Sequence, residues 1–202
     1  MGKRSNFERV ERDFYPTPME AVLPLLPHLA PETRFFEPCA GDGALVRHLE
    51  SFGHTCERAS DIAPQGDGIE ERCVFRSPLP IGDNPIFITN PPWDRNILHP
   101  ILDHLPRFAP TWLLFDADWM HTKQSAPFMS MCAAVVSVGR VKWIPDSKMT
   151  GKDNCAWHLF DVTHEGPTRL YGRTTVRSRQ NTDTGSATQA NATHGAGMGR
   201  ME

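Results

Sequence analysis

An alternation of short apolar runs with helical patterns most constrains how this chain can fold. The apolar runs and the helical patterns between and after them cover residues 34–39, 44–52, 55–62, 85–89, 97–105 and 112–116. Because parallel strands need crossover connections, this alternation predicts a parallel α/β sheet. We also expect helices at residues 19–29, with Thr17 as cap and Pro18 in the first position, and near residues 126–132.

The last two apolar runs, residues 134–144 and 155–162, break that rhythm. Residues 145–154 join them and are rich in Pro, Gly, Lys and Asp, without a helical pattern. A hairpin is the simplest connection between two strands of this kind. A parallel sheet that ends in an antiparallel hairpin is a narrower class than the plain dinucleotide-binding fold.

Length and composition indicate one catalytic-sized domain. The chain has 202 residues, of which 39% are hydrophobic and 22% are charged, close to ordinary globular values. No apolar run approaches the roughly 20 residues that cross a bilayer, and the first residues lack a signal peptide's apolar stretch. The five cysteines are spread singly and the nine histidines form no H-x-x-x-H pair. We therefore expect a cytoplasmic protein with no membrane partner and no metal site.

The chain divides into three regions by composition. Residues 1–13 form a polar N-terminal arm, residues 14–170 the catalytic domain, and residues 171–202 a basic, then low-complexity tail that we expect to be disordered. Residues 166–202 carry a net charge of +3 and the remainder −6. This asymmetry fits either a phosphate-facing appendage or a solubilising tail.

A glycine-containing loop follows the first strand and opens a helix. Its sequence is Glu37-Pro38-Cys39-Ala40-Gly41-Asp42-Gly43. Gly41 and Gly43 allow a tight turn and the close approach of a ligand, although a turn without a ligand would look the same. Glu37 and Asp42 would repel a pyrophosphate, so the loop favours a cationic cofactor without phosphates.

Asp61 ends the second strand, about 20 residues beyond the glycines. A carboxylate at this place can accept hydrogen bonds from both ribose hydroxyls of a nucleoside. The alternative is that Asp61 forms a turn.

The motif Asn90-Pro91-Pro92-Trp93 stands at the end of another strand, where open α/β sheets bind their ligands. The Asn90 side-chain oxygen and a main-chain carbonyl can converge there on one amino group, and Trp93 offers a flat face to the ring that bears it. A surface turn is the alternative, because Asn-Pro begins turns.

Residues 13–18, 37–43 and 90–93 together resemble class I S-adenosylmethionine-dependent methyltransferases, specifically the DNA N6-adenine methyltransferases of phages and prophages. The resemblance covers residues 13–165, and residues 141–144 with 154–160 are similar to the closing hairpin of such proteins. It implies a Rossmann-like α/β fold with helices on both faces of a seven-stranded sheet. The implied strand order is 3-2-1-4-5-7-6, with strand 7 antiparallel.

The resemblance also implies methyl transfer from S-adenosylmethionine to adenine N6, with DNA or RNA as partner and little or short sequence specificity. The implied catalytic residues are Asn90, Pro91, Pro92 and Trp93. The implied cofactor-binding residues are Phe14, Tyr15, Thr17, Glu37, Cys39, Gly41, Gly43 and Asp61. One departure is the segment Cys73-Val74-Phe75, which stands where such proteins place an acidic and an apolar residue against the cofactor adenine.

Several alternatives remain open at this stage. The same motif serves cytosine N4, RNA-base and protein-glutamine methyltransferases, and the fold also suits a non-catalytic nucleic-acid-binding module. His158 or Asp116 could take the product proton, and Trp119 could stack on nucleic acid. The candidate phosphate contacts are Lys148, Lys152 and the arginines between Arg169 and Arg179.

Overall fold

One mixed sheet organises the residues that the computed structural model describes, which are 14–76, 85–144 and 150–173. The described α-helices are α1 (Met19–Val22), α2 (Ala44–Glu50) and α3 (Arg95–His104). The described strands are β1 (Arg34–Glu37), β2 (Thr55–Asp61), β3 (Glu70–Glu71), β4 (Phe87–Thr89), β5 (Thr111–Asp116), β6 (Cys132–Gly139), β7 (Cys155–Phe160) and β8 (Arg169–Tyr171).

The strand order confirms the predicted fold class and extends it by one strand. The order is β3-β2-β1-β4-β5-β7-β6-β8. Strands β1 to β5 pair in parallel, whereas β7 runs antiparallel to both β5 and β6. The addition is β8, which pairs in parallel with β6. The sheet therefore has eight described strands instead of seven, and its parallel strands end at a common edge.

Helices cover both faces of the sheet, as expected. On one face α1 and α2 pack buried apolar side chains against Ile88 of β4, and on the other face α3 packs against the neighbouring Phe87. This alternation follows from the two-residue period of a strand, which turns successive side chains to opposite faces. The Trp157 indole N–H of β7 also donates to the Ala21 carbonyl of α1 at 2.8 Å, so the first helix is tied to the hairpin.

The helix predicted at residues 19–29 is wrong in its length. The α-helix ends at Val22, and a 3-10 turn follows at Leu26–His28. Pro24 and Pro27 explain the break, because proline has no N–H for the helical hydrogen-bond ladder. Pro18, not Thr17, is the residue that precedes the helix, and it makes no side-chain cap.

The helix predicted near residues 126–132 is also absent from the described structure. One 3-10 turn, Lys123–Ser125, precedes the segment, a second, Met129–Met131, lies within it, and β6 begins at Cys132. By contrast, α3 forms where its pattern predicts it and starts two residues earlier, because the Asp94 side chain accepts a hydrogen bond from the Asn96 N–H and caps it.

The hairpin strands form as expected but are shorter than the apolar runs. β6 ends at Gly139, and β7 ends at Phe160. Residues 145–149 of the connection lie outside the described residues, as do the predicted arm at residues 1–13 and residues 174–202 of the predicted tail. No helix within the described ranges is long and apolar enough to cross a membrane.

Candidate functional site

A cavity of about 410 Å³ opens at the carboxyl ends of β1, β2 and β4. Open parallel sheets bind ligands at this edge. Nine of the predicted site residues line the cavity, namely Phe14, Tyr15, Thr17, Glu37, Cys39, Gly41, Asp61, Asn90 and Pro92. The structure thus brings the cofactor loop, the segment before α1 and the Asn90 motif together around one space.

The ionisable side chains that line this cavity are chiefly acidic. Glu37, Asp42 and Asp61 contribute carboxyl groups, and among the described lining residues there is no Lys, Arg or His. This wall offers carboxyl oxygens to a cation and no basic side chain to a phosphate, and one of its carboxylates, Asp42, pairs with Arg47 at 3.2 Å. The geometry therefore fits the cationic, phosphate-free ligand that the loop sequence predicts.

Gly41 allows the glycine loop to lie close to the Phe14 ring. Gly41 has φ +56°, and a Cβ at this position would lie 2.7 Å from Phe14 Cε2. Any larger residue would therefore displace the Phe14 ring as well as strain the backbone. Gly43 has φ +79° and precedes α2, but it does not line the cavity, so it shapes the turn from behind.

Backbone hydrogen bonds hold the loop against the end of β2. Asp61 Oδ2 accepts from the Gly41 N–H, and Asp61 Oδ1 accepts from the Ala63 N–H, both at 2.8 Å. The Ala63 bond is the turn-forming geometry that was the alternative for Asp61. Each carboxylate oxygen keeps a second lone pair, and Asp61 lines the cavity, so the ribose contact stays a prediction.

Glu37 is the most unusual group in the cavity wall. Its side chain is 1% exposed, and Oε2 has no hydrogen-bond partner among the described residues. Burial raises the pKa of Glu37 to about 8, the nearby Thr89 hydroxyl and the Cys39 N–H lower it, and repulsion from Asp61 raises it further. An ionisable group that is buried in the wall of a ligand-sized cavity and has a raised pKa is a candidate ligand contact.

The Asn90 side chain is held from both sides. Its Nδ2 donates to Thr17 Oγ1 at 3.1 Å, and its Oδ1 accepts from Trp93 Nε1 at 3.2 Å. Trp93 Nε1 also donates to the Leu114 carbonyl at 3.1 Å. Thr17, predicted as a helix cap, instead contacts a residue 73 positions away in sequence.

Trp93 and Pro91 lie outside the cavity lining. The Trp93 ring packs against both apolar cores and meets Trp143 edge to face, with 5.5 Å between centroids. Its stacking on a base stays a prediction, whereas its hydrogen bond to Asn90 is a role that the sequence analysis missed. Trp143 brings the end of the hairpin over the motif. The sequence did not predict this contact, because Trp143 stands out only as part of an apolar run.

The end of β3 supplies no acid to the cavity. Cys73, Val74 and Phe75 line the cavity there, whereas Glu70 in β3 is exposed and pairs with Arg72. Cys73, Val74 and Phe75 are the segment at which this sequence differs from similar methyltransferases, and they line the same cavity as Asp61. Ile62, which is 63% exposed, also lines the cavity and was missed because a lone apolar residue after a strand carries no pattern.

Two residues with predicted secondary roles, His158 and Trp119, lie in the core and not at the site. His158 is 0% exposed and stacks on Phe115 at 4.0 Å, and burial lowers its pKa to about 3. It is therefore wrong as a proton acceptor. Trp119 is buried and donates to His99 Nε2 at 3.0 Å, so it is wrong as a stacking surface.

Asp116, the other candidate base, ends β5 and does not line the cavity. Its Oδ1 accepts from the Asp118 N–H at 2.9 Å, which makes it a turn cap. Burial raises the pKa of Asp116. The structure thus leaves the product proton without an assigned side chain.

Exposed basic residues follow the strands that end on the cavity side of the sheet. Arg140 follows β6, and Arg173 follows β8, whose parallel pairing with β6 carries the chain to the same edge. Arg173 Nη1 lies 3.1 Å from where a Cβ of Gly139 would be. Lys142 and Lys152 are exposed on the hairpin. Of the other predicted phosphate contacts, Arg169 is exposed at the first position of β8, whereas Lys148, Arg177 and Arg179 lie outside the described residues.

Comparison with known proteins supports the fold. No family model matches the chain, and no curated protein matches it by sequence. A solved structure from Listeria monocytogenes, described as a class I S-adenosylmethionine-dependent methyltransferase, matches with a TM-score of 0.54 and 12% identity, covering 83% of this chain and 68% of that one.

Two further solved structures are similar over less of the fold. A dimethyladenosine transferase from Plasmodium falciparum has a TM-score of 0.47 at 14% identity and covers 73% of this chain. A protein from Pyrococcus horikoshii described as an RNA methyltransferase has 0.48 at 16% identity, covering 77% of this chain and 90% of that one. This chain spans 62% of the length of the Plasmodium protein. With the strand order, the Listeria match shows that the fold is the class I methyltransferase fold.

Proposed function

We propose that the protein transfers a methyl group from S-adenosylmethionine to an exocyclic amino group of a nucleic-acid base, with adenine N6 in DNA as the preferred target. The observation that carries the proposal is the position of Asn90 at the rim of an acid-lined cavity. The cavity suits a nucleoside with a positive charge, and the side-chain amide suits an amine. Neither feature alone indicates this chemistry, and it is their juxtaposition that supports the proposal.

The residues of the cavity wall fit S-adenosylmethionine, which supplies an electrophilic methyl group on a sulfonium centre. Glu37 and Asp61 offer carboxyl groups to the cationic end and the ribose, and Gly41 lets the ligand lie against the backbone. Phe14 closes the wall beside the glycine. Cys73, Val74 and Phe75 form an apolar face for the adenine ring of the cofactor.

Asn90 can position the acceptor amine. Its Oδ1 already accepts one hydrogen bond from Trp93, and an amide oxygen has a second lone pair. A target amino group that donates to this lone pair is held with its nitrogen directed into the cavity, toward the methyl donor. Transfer would then be a direct displacement, in which the amine nitrogen gains the methyl group as the methyl–sulfur bond breaks to leave a neutral thioether, and the surplus proton passes to water. Positioning provides most of the rate enhancement, and no covalent enzyme intermediate is needed.

Nucleic acid as the partner is supported by charge and motif. Arg140, Lys142, Lys152 and Arg173 are exposed on the cavity side of the sheet, although the protein is acidic overall. Such residues contact phosphates without reading sequence, so specificity should be low. The preference for adenine in DNA rests on the resemblance of the Asn90–Trp93 motif. A base in a duplex must leave the stack to reach the cavity.

The test is the transfer of labelled methyl groups to unmethylated duplex DNA, with RNA and host protein extract assayed in parallel. We expect N6-methyladenine in DNA and a loss of about a hundred- to a thousandfold in the Asn90→Ala variant, the scale of removing an essential polar contact to the transition state. Asn96→Ala is the matched control, because Asn96 is exposed on α3 and should leave transfer unchanged.

The outcomes separate the alternatives. Label in RNA or protein alone would keep the chemistry and overturn the substrate. No label in any acceptor, from a folded protein, would overturn the proposal and favour a non-catalytic binding module.

A further inference from the structure

The orientation of the Asn90 amide is set by two partners with different chemistry. Trp93 Nε1 can only donate, so the amide must turn its oxygen toward the indole. The amide nitrogen then faces Thr17, whose hydroxyl oxygen accepts from it at 3.1 Å. A flipped amide would set two donors against each other at Trp93. The observed orientation is the one in which the amide oxygen serves an amine.

The indole alone is a weak guide for this amide. Its single N–H is shared between Asn90 Oδ1 at 3.2 Å and the Leu114 carbonyl at 3.1 Å. In a bifurcated hydrogen bond each acceptor is bound less strongly than in a hydrogen bond with a single acceptor. If the Asn90 side chain turns away, the indole N–H can donate to the Leu114 carbonyl alone. The bond to Thr17 is the undivided contact and therefore has the larger influence on the rotamer.

Thr17 is well placed to act in this way. Its side chain is 5% exposed, so water competes little for the hydroxyl. It belongs to the segment of residues 14–17 that lines the cavity, and it makes no cap on α1, which removes the ordinary reason for a threonine before a helix. The buried hydroxyl has one interaction with another side chain among the described residues, and that interaction is with Asn90.

We propose that Thr17 is a positioning residue for the transfer reaction: its hydroxyl holds the Asn90 side chain in one rotamer, while the Trp93 N–H determines which end of the amide is the oxygen. The inference rests on the proposed function and deepens it. It gives the segment before α1 two roles: the segment lines the cofactor cavity, and Thr17 supports the catalytic amide. It also gives Trp93 a share in the same task.

The experiment compares Thr17→Val and Thr17→Ser. Valine keeps the shape of threonine and removes the hydroxyl, whereas serine keeps the hydroxyl. We expect Thr17→Val to lower kcat about three- to tenfold, as the loss of one hydrogen bond predicts, with the Kd for S-adenosylmethionine unchanged within about twofold. Thr17→Ser should restore kcat to within about twofold of the parent. A weaker cofactor affinity with kcat unchanged would overturn the inference, as would equal losses in both variants.

A second measurement does not depend on activity. In ¹H–¹⁵N spectra of the full chain, the Asn90 side-chain NH₂ signals are those that vanish in Asn90→Asp. We expect these signals to shift and broaden in Thr17→Val, because the amide samples more than one rotamer, and to return in Thr17→Ser. Unchanged signals in Thr17→Val would overturn the inference. If the parent protein transfers no methyl group, the proposed function fails, and the spectra still decide whether Thr17 holds Asn90.

Discussion

Glu37 in β1 and His158 in β7 are buried to the same degree, but they lie in very different surroundings. Each has a polar atom without a hydrogen-bond partner among the described residues. Glu37 faces a cavity of about 410 Å³, whereas His158 is enclosed by Phe115, Trp119 and Phe160. An unpartnered buried group therefore does not by itself mark a site. What marks the Glu37 side of the sheet is the ligand-sized cavity whose wall Glu37 helps to form.

The two groups also affect stability at opposite ends of the pH range. The pKa of Glu37 is raised from 4.5 to about 8, so the unfolded chain loses this proton first and the folded state is destabilised as pH rises between those values. The pKa of His158 is lowered from 6.5 to about 3, so the unfolded chain gains a proton first and stability falls as pH falls through that range. These two groups together favour a stability maximum between about pH 4.5 and 6.5.

The largest effect is expected from Gly41→Ala on the cavity side. The added methyl group would lie 2.7 Å from the Phe14 ring at a backbone φ of +56°, so both the loop and the wall must shift. We expect S-adenosylmethionine affinity to fall more than tenfold and stability to fall by about 1–3 kcal/mol, measured by calorimetric titration and thermal unfolding.

Gly53→Ala is the matched control for this substitution. Gly53 has φ +85° with nothing within 4 Å of the added Cβ, so this variant should lose stability alone and keep its cofactor affinity. Equal cofactor affinities in the two variants would remove the contrast between the loop and an ordinary turn.

Glu37→Gln should lower S-adenosylmethionine affinity about tenfold above pH 8, because the neutral amide lacks the charge that attracts the cation. In the parent protein, affinity should rise as pH rises through about 8, where Glu37 ionises, and this rise should be absent in the variant. Calorimetric titrations of both proteins at about pH 6.5, 7.5 and 8.5, on either side of that pKa, measure the affinity.

The same variant sharpens the comparison through stability. Glu37→Gln should be more stable than the parent at pH 8. Its free energy of unfolding should decline much less than that of the parent between pH 4.5 and 8. Glu71→Gln is the control, because Glu71 is exposed in β3 and should change neither property. Identical pH profiles in Glu37→Gln and the parent would contradict a raised pKa at this position.

His158→Phe should stabilise the protein by about 1–2 kcal/mol, since it replaces a buried unpaired imidazole within an aromatic stack by an apolar ring. The gain should be largest near pH 4, where the parent pays for keeping the ring neutral. Thermal unfolding at pH 4 and pH 7 measures it. Cofactor affinity should be unchanged, because His158 does not line the cavity, and a changed affinity would show that the two regions are coupled.

The smallest effect is expected from Cys73→Asp. This substitution supplies the acid that the resemblance leads one to expect after β3, within the cavity wall, and it should tighten S-adenosylmethionine binding about threefold through one hydrogen bond to the adenine amino group. Cys73→Ser, which adds no charge, should bind like the parent. A weaker affinity in Cys73→Asp would show that the apolar face is itself the adenine contact. Calorimetric titration distinguishes these results.

The parts of the molecule that could be predicted from sequence are those with local patterns. The strands at β1, β2, β4 and β5 follow apolar runs, and the turn at Gly41 and Gly43 follows from residue type. β8 could not be predicted in this way, because all three of its residues are exposed and give no apolar alternation. Its position comes from pairing with β6, a contact between distant residues.

The candidate site divides along the same line. That Glu37, Asp61 and Asn90 meet follows from the rule that parallel strands end at one edge. That Thr17 bonds to Asn90 does not, because a separation of 73 residues leaves no local signal. Trp93 also shows this limit, since residue type indicates a flat ring but not whether the ring faces the cavity or the core.

The bond between Trp157 and Ala21 has a consequence for how the protein matures on the ribosome. The four residues of α1 are too few to form a stable helix alone, and the indole that anchors them lies 136 residues further along the chain. The segment carrying Thr17 can pack against α2 and Ile88 and reach Asn90 earlier in synthesis, but its contact with β7 forms only late in translation. We expect the nascent chain to complete the wall of the cavity only after β7 has left the exit tunnel.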